Sequence, residues 1–476
     1  MKFKPYEQYQ LSLLPPSIDE LISKDHFVRF LDRMVEQLDF TELYNSYSEE
    51  GNPAYHPKML IKILIYAYSI GERSSRQIES RLKSDIYFMY LSGGQKPNFR
   101  TISDFRKDKG KYFRQYFKEV LQMCRQMGMA SLGHVSIDGS KIKANGHKSK
   151  NKRDKELRRE EYLLEKKIRG IMNEAEQIDK QEDEQYGEKR GDELPEDLQE
   201  EKKMIEKIKQ AREEIKKRKL KEVNITDPDA HLMKTNNGGY DVCYNAQLSV
   251  DSDKQIITAA ELTNQGGDNH QLVPMYEKTV ENTNGEKPKE ISTDSGYFSG
   301  ENYLYLEKNN IDGYVPECKL KKETDEEGKD KLEKFDRRNF KYDESKDEYI
   351  CPEGRRLVFT RNEKRKGVKS RLYVSKDCSG CKYQRECVRK SIRGNRQIQI
   401  YENDNYKIMM RQKLRSEEGK KKYNKRMATV EPVFAHIKNV MNFRKFLLRG
   451  IEKASYEFTL ICLAHNLKKL SCFMPA

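Results

Sequence analysis

The sequence predicts an α/β protein with a mixed sheet flanked by helices, preceded by an all-helical N-terminal domain. Apolar residues recur at helical spacing through residues 17–128, which predicts a compact helical domain at residues 1–128. Short apolar segments, some with strict alternation, then alternate with helix-like segments, as expected for a mixed sheet. Two charge-rich stretches, residues 147–222 and 318–420, interrupt this pattern, and we interpret them as insertions.

The helical domain contains a segment with features of a helix-turn-helix motif. Ser74 follows Gly71 at the spacing expected where a turn leads into a second helix. Arg73 and Arg76 could then contact DNA phosphates, which would make residues 1–128 a DNA-binding domain. Ordinary helix-loop-helix packing with surface arginines is the alternative interpretation of the same residues.

The predicted sheet occupies residues 129–146 and 223–317. Its first strand is the apolar segment that ends in Asp138 and the turn glycine Gly139. A second strand begins at Tyr240, where alternate residues are apolar. The later elements are strands at residues 255–262, 290–293 and 311–315, helices at 269–281 and 301–309, and two closing helices within 421–476 that complete the core.

The first insertion, residues 147–222, is predicted to be an antiparallel helical hairpin. Apolar residues step by three and four in two stretches of dense mixed charge, so each helix would bury one stripe and solvate its outer face. Gly187, Gly191 and Pro195 lie between the stripes and predict the turn. Disorder is the alternative, because a segment of this charge density buries little apolar surface.

The charge of the chain favours a polyanionic partner. Its 476 residues include 92 Lys and Arg against 77 Asp and Glu, a formal net charge of +15. Such a surplus neutralises phosphates and releases counterions, although a lysine-rich surface can also serve solubility alone. The first 16 residues lack an apolar segment of signal-peptide length, so we expect a cytoplasmic protein without a membrane partner.

Three acidic residues stand where carboxylates could meet. Asp138 and Asp294 each follow a predicted strand and precede a glycine-containing turn, so that their side chains would project from the sheet edge. Glu431 adjoins the apolar stripe of the penultimate helix. Asp is also common in turns and Glu on solvated helices, which is the ordinary explanation of each residue. Together the three carboxylates would suit Mg²⁺ or Mn²⁺, and a pair of such ions promotes phosphodiester cleavage.

The segments around these acids resemble the DDE insertion-sequence transposases. The resemblance implies a catalytic core like those of RNase H and retroviral integrases, with a five-stranded mixed sheet. It also implies that the three acids bind the catalytic metal ions. The similar segments, which lie along most of the chain, are residues 135–141, 226–230, 239–250, 291–297 and 429–438, with the helical stretch from 56 to 106.

A subgroup of these transposases carries a Tyr-Arg-Glu-Lys signature, which Tyr423, Arg426, Glu431 and Lys438 resemble. Lys438 follows Glu431 by seven residues, two helical turns, so both would share a helix face and Lys438 could hold a phosphate beside the metal ions. Four residues separate Arg426 from Glu431, where the signature has three. The signature implies DNA contacts for Arg426 and Tyr423, and this difference in spacing weakens that implication for both residues.

The resemblance implies a transposase that acts on double-stranded DNA. The enzyme would cleave at the terminal inverted repeats of its element and join the freed 3′-hydroxyl to target DNA. Holding two ends together implies a homodimer, and the substrate implies association with the nucleoid. The alternatives are a nuclease of the same fold without strand transfer, a catalytically silent transposase-derived DNA-binding protein and an RNA-binding scaffold.

The second insertion carries a cysteine cluster formed by Cys351, Cys378, Cys381 and Cys387. In a reducing compartment such cysteines are free thiols or metal ligands rather than disulfides. A CxxC pair with two further cysteines predicts a tetrahedral structural zinc site, so residues 318–420 are expected to form a basic, zinc-ribbon-like insertion. Unligated thiols in a loop are the alternative, because the spacing after Cys381 is uneven.

Overall fold

A computed structural model describes residues 17–186, 196–317, 334–388 and 394–473, except residues 49, 51, 236, 237, 366, 367 and 403. The N-terminal part is helical, as predicted. Pro57 occupies the first turn of the third helix, and the Ser74 side chain caps the fourth by accepting a hydrogen bond from the Gln77 amide. The helices are α1 (Phe27–Glu36), α2 (Thr41–Tyr44), α3 (Pro57–Ser69), α4 (Ser75–Ser84), α5 (Ile86–Ser92), α6 (Phe99–Asp108) and α7 (Phe113–Gln126).

The first strand, β1 (His134–Lys143), is longer than predicted. Asp138 pairs with Leu248 and Gly139 with Gln247, and the pairing continues to Lys143. The prediction that the strand ends in a turn at Gly139 is therefore wrong. Asp-Gly is a frequent turn sequence, but here the partner strand continues to offer hydrogen bonds beyond Gly139.

In the first insertion, where a helical hairpin is predicted, the structure has the helices α8 (Asp154–Tyr186) and α9 (Glu196–Arg218), which contact each other. Leu157, Ile208 and Ala211 are buried between them. The short strands β2 (Asn151–Lys152) and β3 (Val223–Asn224) pair antiparallel where the hairpin leaves the core. The predicted turn at Gly187, Gly191 and Pro195 lies outside the described residues.

The central sheet is mixed, and its six strands occupy five positions. β4 (His231–Lys234) and β6 (Ile257–Thr263) lie along one side of β5 (Tyr240–Asp251), beside its first and second halves respectively. The order is then β4 or β6, β5, β1, β7 and β8, with antiparallel pairing up to β1 and parallel pairing from β1 to β8. The remaining elements are α10 (Leu272–Asn282), β7 (Glu290–Thr293), α11 (Gly300–Lys308) and β8 (Asp312–Tyr314).

The second insertion contains a regular sheet that the sequence analysis did not predict. Five antiparallel strands pair in the order β13, β12, β11, β10, β9, and Phe340, Leu357, Tyr373 and Ile398 form their small core. Its elements are β9 (Lys341–Asp343), β10 (Glu348–Ile350), β11 (Arg356–Arg365), β12 (Val368–Ser375), α12 (Gln384–Cys387) and β13 (Gln397–Tyr401), followed by α13 (Asp404–Arg415).

Two long helices close the chain, as predicted: α14 (Glu417–Ala435), which continues into a π-helical turn (His436–Val440), and α15 (Ile451–Ser471). α15 is buried on most of its surface, since it packs against α7 and α3 on one side and β6 on the other. A single apolar cluster therefore joins the N-terminal helices to the sheet. Among the described residues, no helix has both the length and the apolar character needed to cross a membrane.

A buried carboxylate ties these parts together. Glu457 of α15 is fully buried and accepts hydrogen bonds from the Tyr68 hydroxyl and from the amides of Leu447 and Leu448, at 3.0, 2.8 and 3.0 Å. The Arg106 guanidinium, also buried, donates to the same Tyr68 hydroxyl, and Arg73 lies 3.7 Å from the Glu457 carboxylate. The charge of Glu457 is thus compensated by cations from the N-terminal helices.

Replacing Glu457 by Ala should therefore destabilise the whole chain. The change leaves the Tyr68 hydroxyl and two backbone amides without their buried acceptor and removes the carboxylate partner of Arg73, a loss of about 3–5 kcal/mol in the free energy of unfolding. Denaturant unfolding would measure it, with Glu307→Ala, an exposed helix residue, as a control expected to change by less than about 0.5 kcal/mol. Equal stability of the two variants would contradict this role.

Candidate active site

Asp138 and Asp294 are brought side by side by two neighbouring parallel strands. β1 and β7 pair with Ile137 opposite Thr293, so that the next residue on each strand is one of the two acids. Asp294 follows the end of β7 directly, as predicted, and its side chain accepts a hydrogen bond from the Gly296 amide at 2.8 Å. Parallel pairing thus joins acids that are far apart in sequence.

Glu431 reaches the same place from α14. The Arg426 guanidinium donates to Asp138 Oδ2 at 3.2 Å and, through its other terminal nitrogen, to Glu431 Oε1 at 3.1 Å. One guanidinium therefore spans both carboxylates. The Glu431 side chain remains 47% exposed, whereas that of Arg426 is only 12% exposed. The structure brings all three predicted acids to one site, with Arg426 between two of them.

The other two signature residues lie at the same site. The Tyr423 side chain is close enough to Arg426, Asp138 and Asp294 for their charges to act on its pKa. Lys438 lies in the π-helical turn after α14 and donates to the hydroxyl of Ser140, two residues after Asp138 on β1. The predicted shared helix face of Glu431 and Lys438 is modified by this turn, a feature often found at functional sites.

The site concentrates negative charge that is poorly solvated. Burial, and then the nearby Asp294 charge, raise the pKa of Asp138 to about 6, although Arg426 and the Gly139 amide act in the opposite direction. Burial also raises the pKa of Asp294. The Lys438 pKa is lowered, mainly because its ammonium group is desolvated. Acids held together away from water are stabilised by a bound cation.

A fourth acid, Asp268, belongs to this neighbourhood, and the sequence analysis missed it. Its carboxylate accepts hydrogen bonds from Asn245 and Gln247 of β5 at 2.6 and 2.8 Å, and its charge contributes to the raised pKa values of Asp138 and Asp294. Asp268 follows Gly266 and Gly267 in a loop after β6, where an acid has an ordinary explanation. No spacing in the sequence indicates that the loop folds back to β1 and β5.

The arginines predicted to contact DNA differ in exposure. Arg73 is engaged within the chain, since it donates to the Lys445 carbonyl and lies over the Phe443 ring at 4.8 Å. A phosphate contact by Arg73 would therefore compete with its present partners. Arg76 is exposed and lies over the Phe99 ring at 5.1 Å. The helix-turn-helix interpretation of α3 and α4 stays a prediction.

The four predicted zinc ligands lie around one small cavity in the second insertion. Cys351 and Cys378 each accept a hydrogen bond from a backbone amide, of Arg355 and Arg396 respectively, both at 3.3 Å. Burial raises the pKa of Cys387, and the three other thiols act on it in the same direction. The cysteines are thus gathered by the strands that surround them, although they are spread over residues 351–387.

Among the described residues, no group of three His, Cys, Asp or Glu side chains is arranged so that it could hold a metal ion as it stands. At the acidic site the reason is visible, because the Arg426 guanidinium lies between Asp138 and Glu431. The donor chemistry nevertheless fits. Carboxylate oxygens suit Mg²⁺ or Mn²⁺, and the raised pKa of Asp138 indicates negative charge that the present partners do not fully compensate.

Comparison with known families matches two parts of the chain. Residues 16–108 match the family model described as "Transposase domain (DUF772)", and residues 350–471 match the one described as "Transposase DDE domain". Glu431 and the cysteine cluster lie within the second match, whereas Asp138 and Asp294 lie outside both. The curated proteins and the solved structures yielded no match.

Replacing Asp138 by Asn should stabilise the metal-free protein at neutral pH. Because the folded-state pKa of about 6 lies above the ordinary 3.8, the ionised carboxylate opposes folding. This penalty is absent below about pH 4 and grows as the pH rises through 6. At pH 7.5 in EDTA, denaturant unfolding should show a gain of up to about 3 kcal/mol, which disappears at pH 4.

The matched control for this variant is Asp25→Asn, a change at an exposed acid. It should leave the free energy of unfolding nearly unchanged at both pH values. If Asp138→Asn is no more stable than the parent protein at pH 7.5, the carboxylate is adequately compensated in the fold and the argument for a cation at this site loses its support.

Proposed function

Because the chain belongs to the DDE-type insertion-sequence transposases, we propose that it cleaves DNA at the ends of its element and joins them to target DNA. The observation that carries this proposal is the meeting of Asp138, Asp294 and Glu431 at one site, reached from two parallel strands and a helix. The strand order and directions of the central sheet support an RNase H-like core. This core would comprise residues 129–146, 223–317 and 421–476.

The three acids would hold two Mg²⁺ or Mn²⁺ ions. When bound, such ions activate the attacking oxygen and stabilise the departing oxygen of a phosphodiester. For the acids to bind cations, the Arg426 guanidinium must leave its position between Asp138 and Glu431. Its planar donors suit a phosphate, so Arg426 would exchange two carboxylates for the DNA backbone.

Other residues of the site would orient the DNA. Lys438 donates to Ser140 beside the acids, and its desolvated ammonium group is available to a phosphate oxygen. Tyr423, which lies near Arg426, would contact the DNA backbone beside that side chain. The helical domain of residues 1–128, with Arg76 exposed on α4 and Arg73 beside it, and the basic insertion would supply further phosphate contacts, and a homodimer would hold both element ends.

Removal of any one of the three acids should abolish cleavage while DNA binding is kept. Asp138→Ala, Asp294→Ala and Glu431→Ala each delete a cation ligand, so the cleavage rate should fall at least about 1000-fold. The substrate would be a plasmid that carries the DNA flanking both ends of this reading frame, nicked in Mg²⁺ and intact in EDTA. Electrophoretic mobility shifts would report binding.

Glu307→Ala, at an exposed position of α11, is the matched control and should cleave normally. A parent protein that binds these ends yet never nicks them in Mg²⁺ or Mn²⁺ would identify the chain as a catalytically silent DNA-binding protein. Nicking without joined products would identify a nuclease that lacks strand transfer.

We also propose that Cys351, Cys378, Cys381 and Cys387 bind a structural zinc ion. Cys378 and Cys381 flank a tight turn in which Gly380 has a positive φ of 74°, and Gly354 plays the same part after Cys351 with φ of 79°. Such turns direct backbone N–H groups toward sulfur. The hydrogen bonds that Cys351 and Cys378 accept from backbone amides would stabilise their thiolate forms. The ion would fasten α12 to the antiparallel sheet, whose own apolar core is small.

Protein purified without chelators should contain about one zinc ion per chain, since a closed Cys₄ site binds tightly. Elemental analysis by mass spectrometry would measure it. Cys378→Ser should lose the zinc and unfold at a lower temperature. Cys472→Ser, at an exposed cysteine, should keep the zinc and the unfolding temperature of the parent protein. Less than about 0.1 zinc ion per chain after reconstitution would rule out the site.

A further inference from the structure

Asp268 is held against the catalytic strands by an unusually complete set of partners. Asn245 and Gln247 donate to its Oδ1 at 2.6 and 2.8 Å, and the Lys141 ammonium group lies 3.1 Å from its Oδ2. The side chains of Asp268 and Lys141 are each only 16% exposed. Three side chains from two central strands therefore hold the carboxylate of this loop residue in a fixed position beside β1 and β5.

Gly139 provides the space for this carboxylate. Its backbone lies in the middle of β1, so the absence of a side chain does not serve a turn. A Cβ atom at residue 139 would collide first with the Gln247 amide nitrogen and would come within 2.7 Å of Asp268 Oδ1. Any other residue at this position would therefore displace Gln247 and the Asp268 carboxylate that it holds.

A buried tyrosine fixes the orientation of the Gln247 amide. Tyr297, three residues after Asp294, is fully buried, and its hydroxyl donates to Gln247 Oε1. Because Oε1 accepts this bond, the amide nitrogen of Gln247 is directed to Asp268. The loop that carries Asp294 and the residue that holds Asp268 are therefore connected through one hydrogen-bonded chain.

The charges of Asp268 and Lys141 act on the acids in opposite directions. The Asp268 charge disfavours ionisation of Asp294, whereas that of Lys141 favours it. Alternation along β1 places Gly139 and Lys141 on the sheet face opposite to Asp138 and Ser140. The pair therefore lies behind the three acids, on the side of the sheet away from α14.

We propose that Asp268 is a positioning residue that sets the affinity of the three acids for divalent cations by pairing with Lys141. This inference rests on the proposed function, since it concerns the same cations. With Asp268 in place, the Lys141 charge is neutralised and does not offset the negative charge of the three acids. Without it, an unpaired ammonium group beside Asp294 would repel the incoming cation.

Binding of Mn²⁺ tests this directly, followed by the EPR signal of the unbound ion. Because Arg426 occupies the acids while DNA is absent, the parent protein for this DNA-free test carries Arg426→Ala, and every variant is compared in that background. Asp268→Asn keeps an oxygen that can accept from Asn245 and Gln247 but loses the charge. Its Mn²⁺ affinity should fall about tenfold. Lys141→Met should bind Mn²⁺ several-fold more tightly, and the double variant should return to within about threefold of the parent protein.

The return of affinity in the double variant is the outcome that a purely structural role cannot produce. If Asp268 only supported the fold, Lys141→Met would not repair Asp268→Asn, and the proposal would be overturned. Gly139→Ala provides a second route to the same result, because its Cβ atom displaces Asp268 together with the Gln247 amide that holds it, without changing any charge. Its loss of affinity should not add to that of Asp268→Asn.

Failure of this proposal can be told apart from failure of the proposed function. Asp138→Ala should abolish Mn²⁺ binding altogether if the three acids form the cation site. If Asp138→Ala and the parent protein bind Mn²⁺ equally, the site itself is wrong. If Asp138→Ala does not bind while the parent protein and Asp268→Asn bind equally well, the three acids stand and the role of Asp268 is refuted.

Discussion

The parallel pairing of β1 with β7 is the constraint on which the site depends. It sets Ile137 opposite Thr293, so that the two following residues, Asp138 and Asp294, are neighbours on adjacent strands. A register shift of one residue would turn Asp138 to the other sheet face, where Gly139 now leaves room for Asp268. The distance between Asp138 and Asp294 therefore depends on the backbone hydrogen bonds between β1 and β7 and not on the side chains of the site.

The helix α14 completes the site because α15 and the sheet hold it in place. Val430 and Val433 are buried in the apolar cluster that also contains residues of α15, whereas Glu431 lies beside this buried face with its side chain partly exposed. Arg426 then joins Asp138 and Glu431 with a single guanidinium. In this arrangement a side-chain cation lies where we propose that metal ions bind, which accounts for a well-formed acidic site without metal-ligand spacing.

Much of this arrangement could be predicted from periodicity and local motifs. The helical domain, the charged hairpin, the strands from Tyr240 onward and the closing helices all follow from apolar spacing, which reports one buried face of an element. The length of β1 could not be predicted, because Asp138-Gly139 is also a turn sequence. The sheet of the second insertion was missed since basic residues alternate irregularly there. Asp268 was missed because its partners on β1 and β5 become neighbours only through tertiary folding.

Anomalous diffraction from crystals of the protein–DNA complex grown with Mn²⁺ would test the central claim most directly. The account predicts anomalous density about 2.2 Å from carboxylate oxygens of both Asp138 and Asp294, with Glu431 nearby and Arg426 turned toward a phosphate. Mn²⁺ bound elsewhere, with Arg426 still between Asp138 and Glu431 while DNA occupies the site, would contradict it.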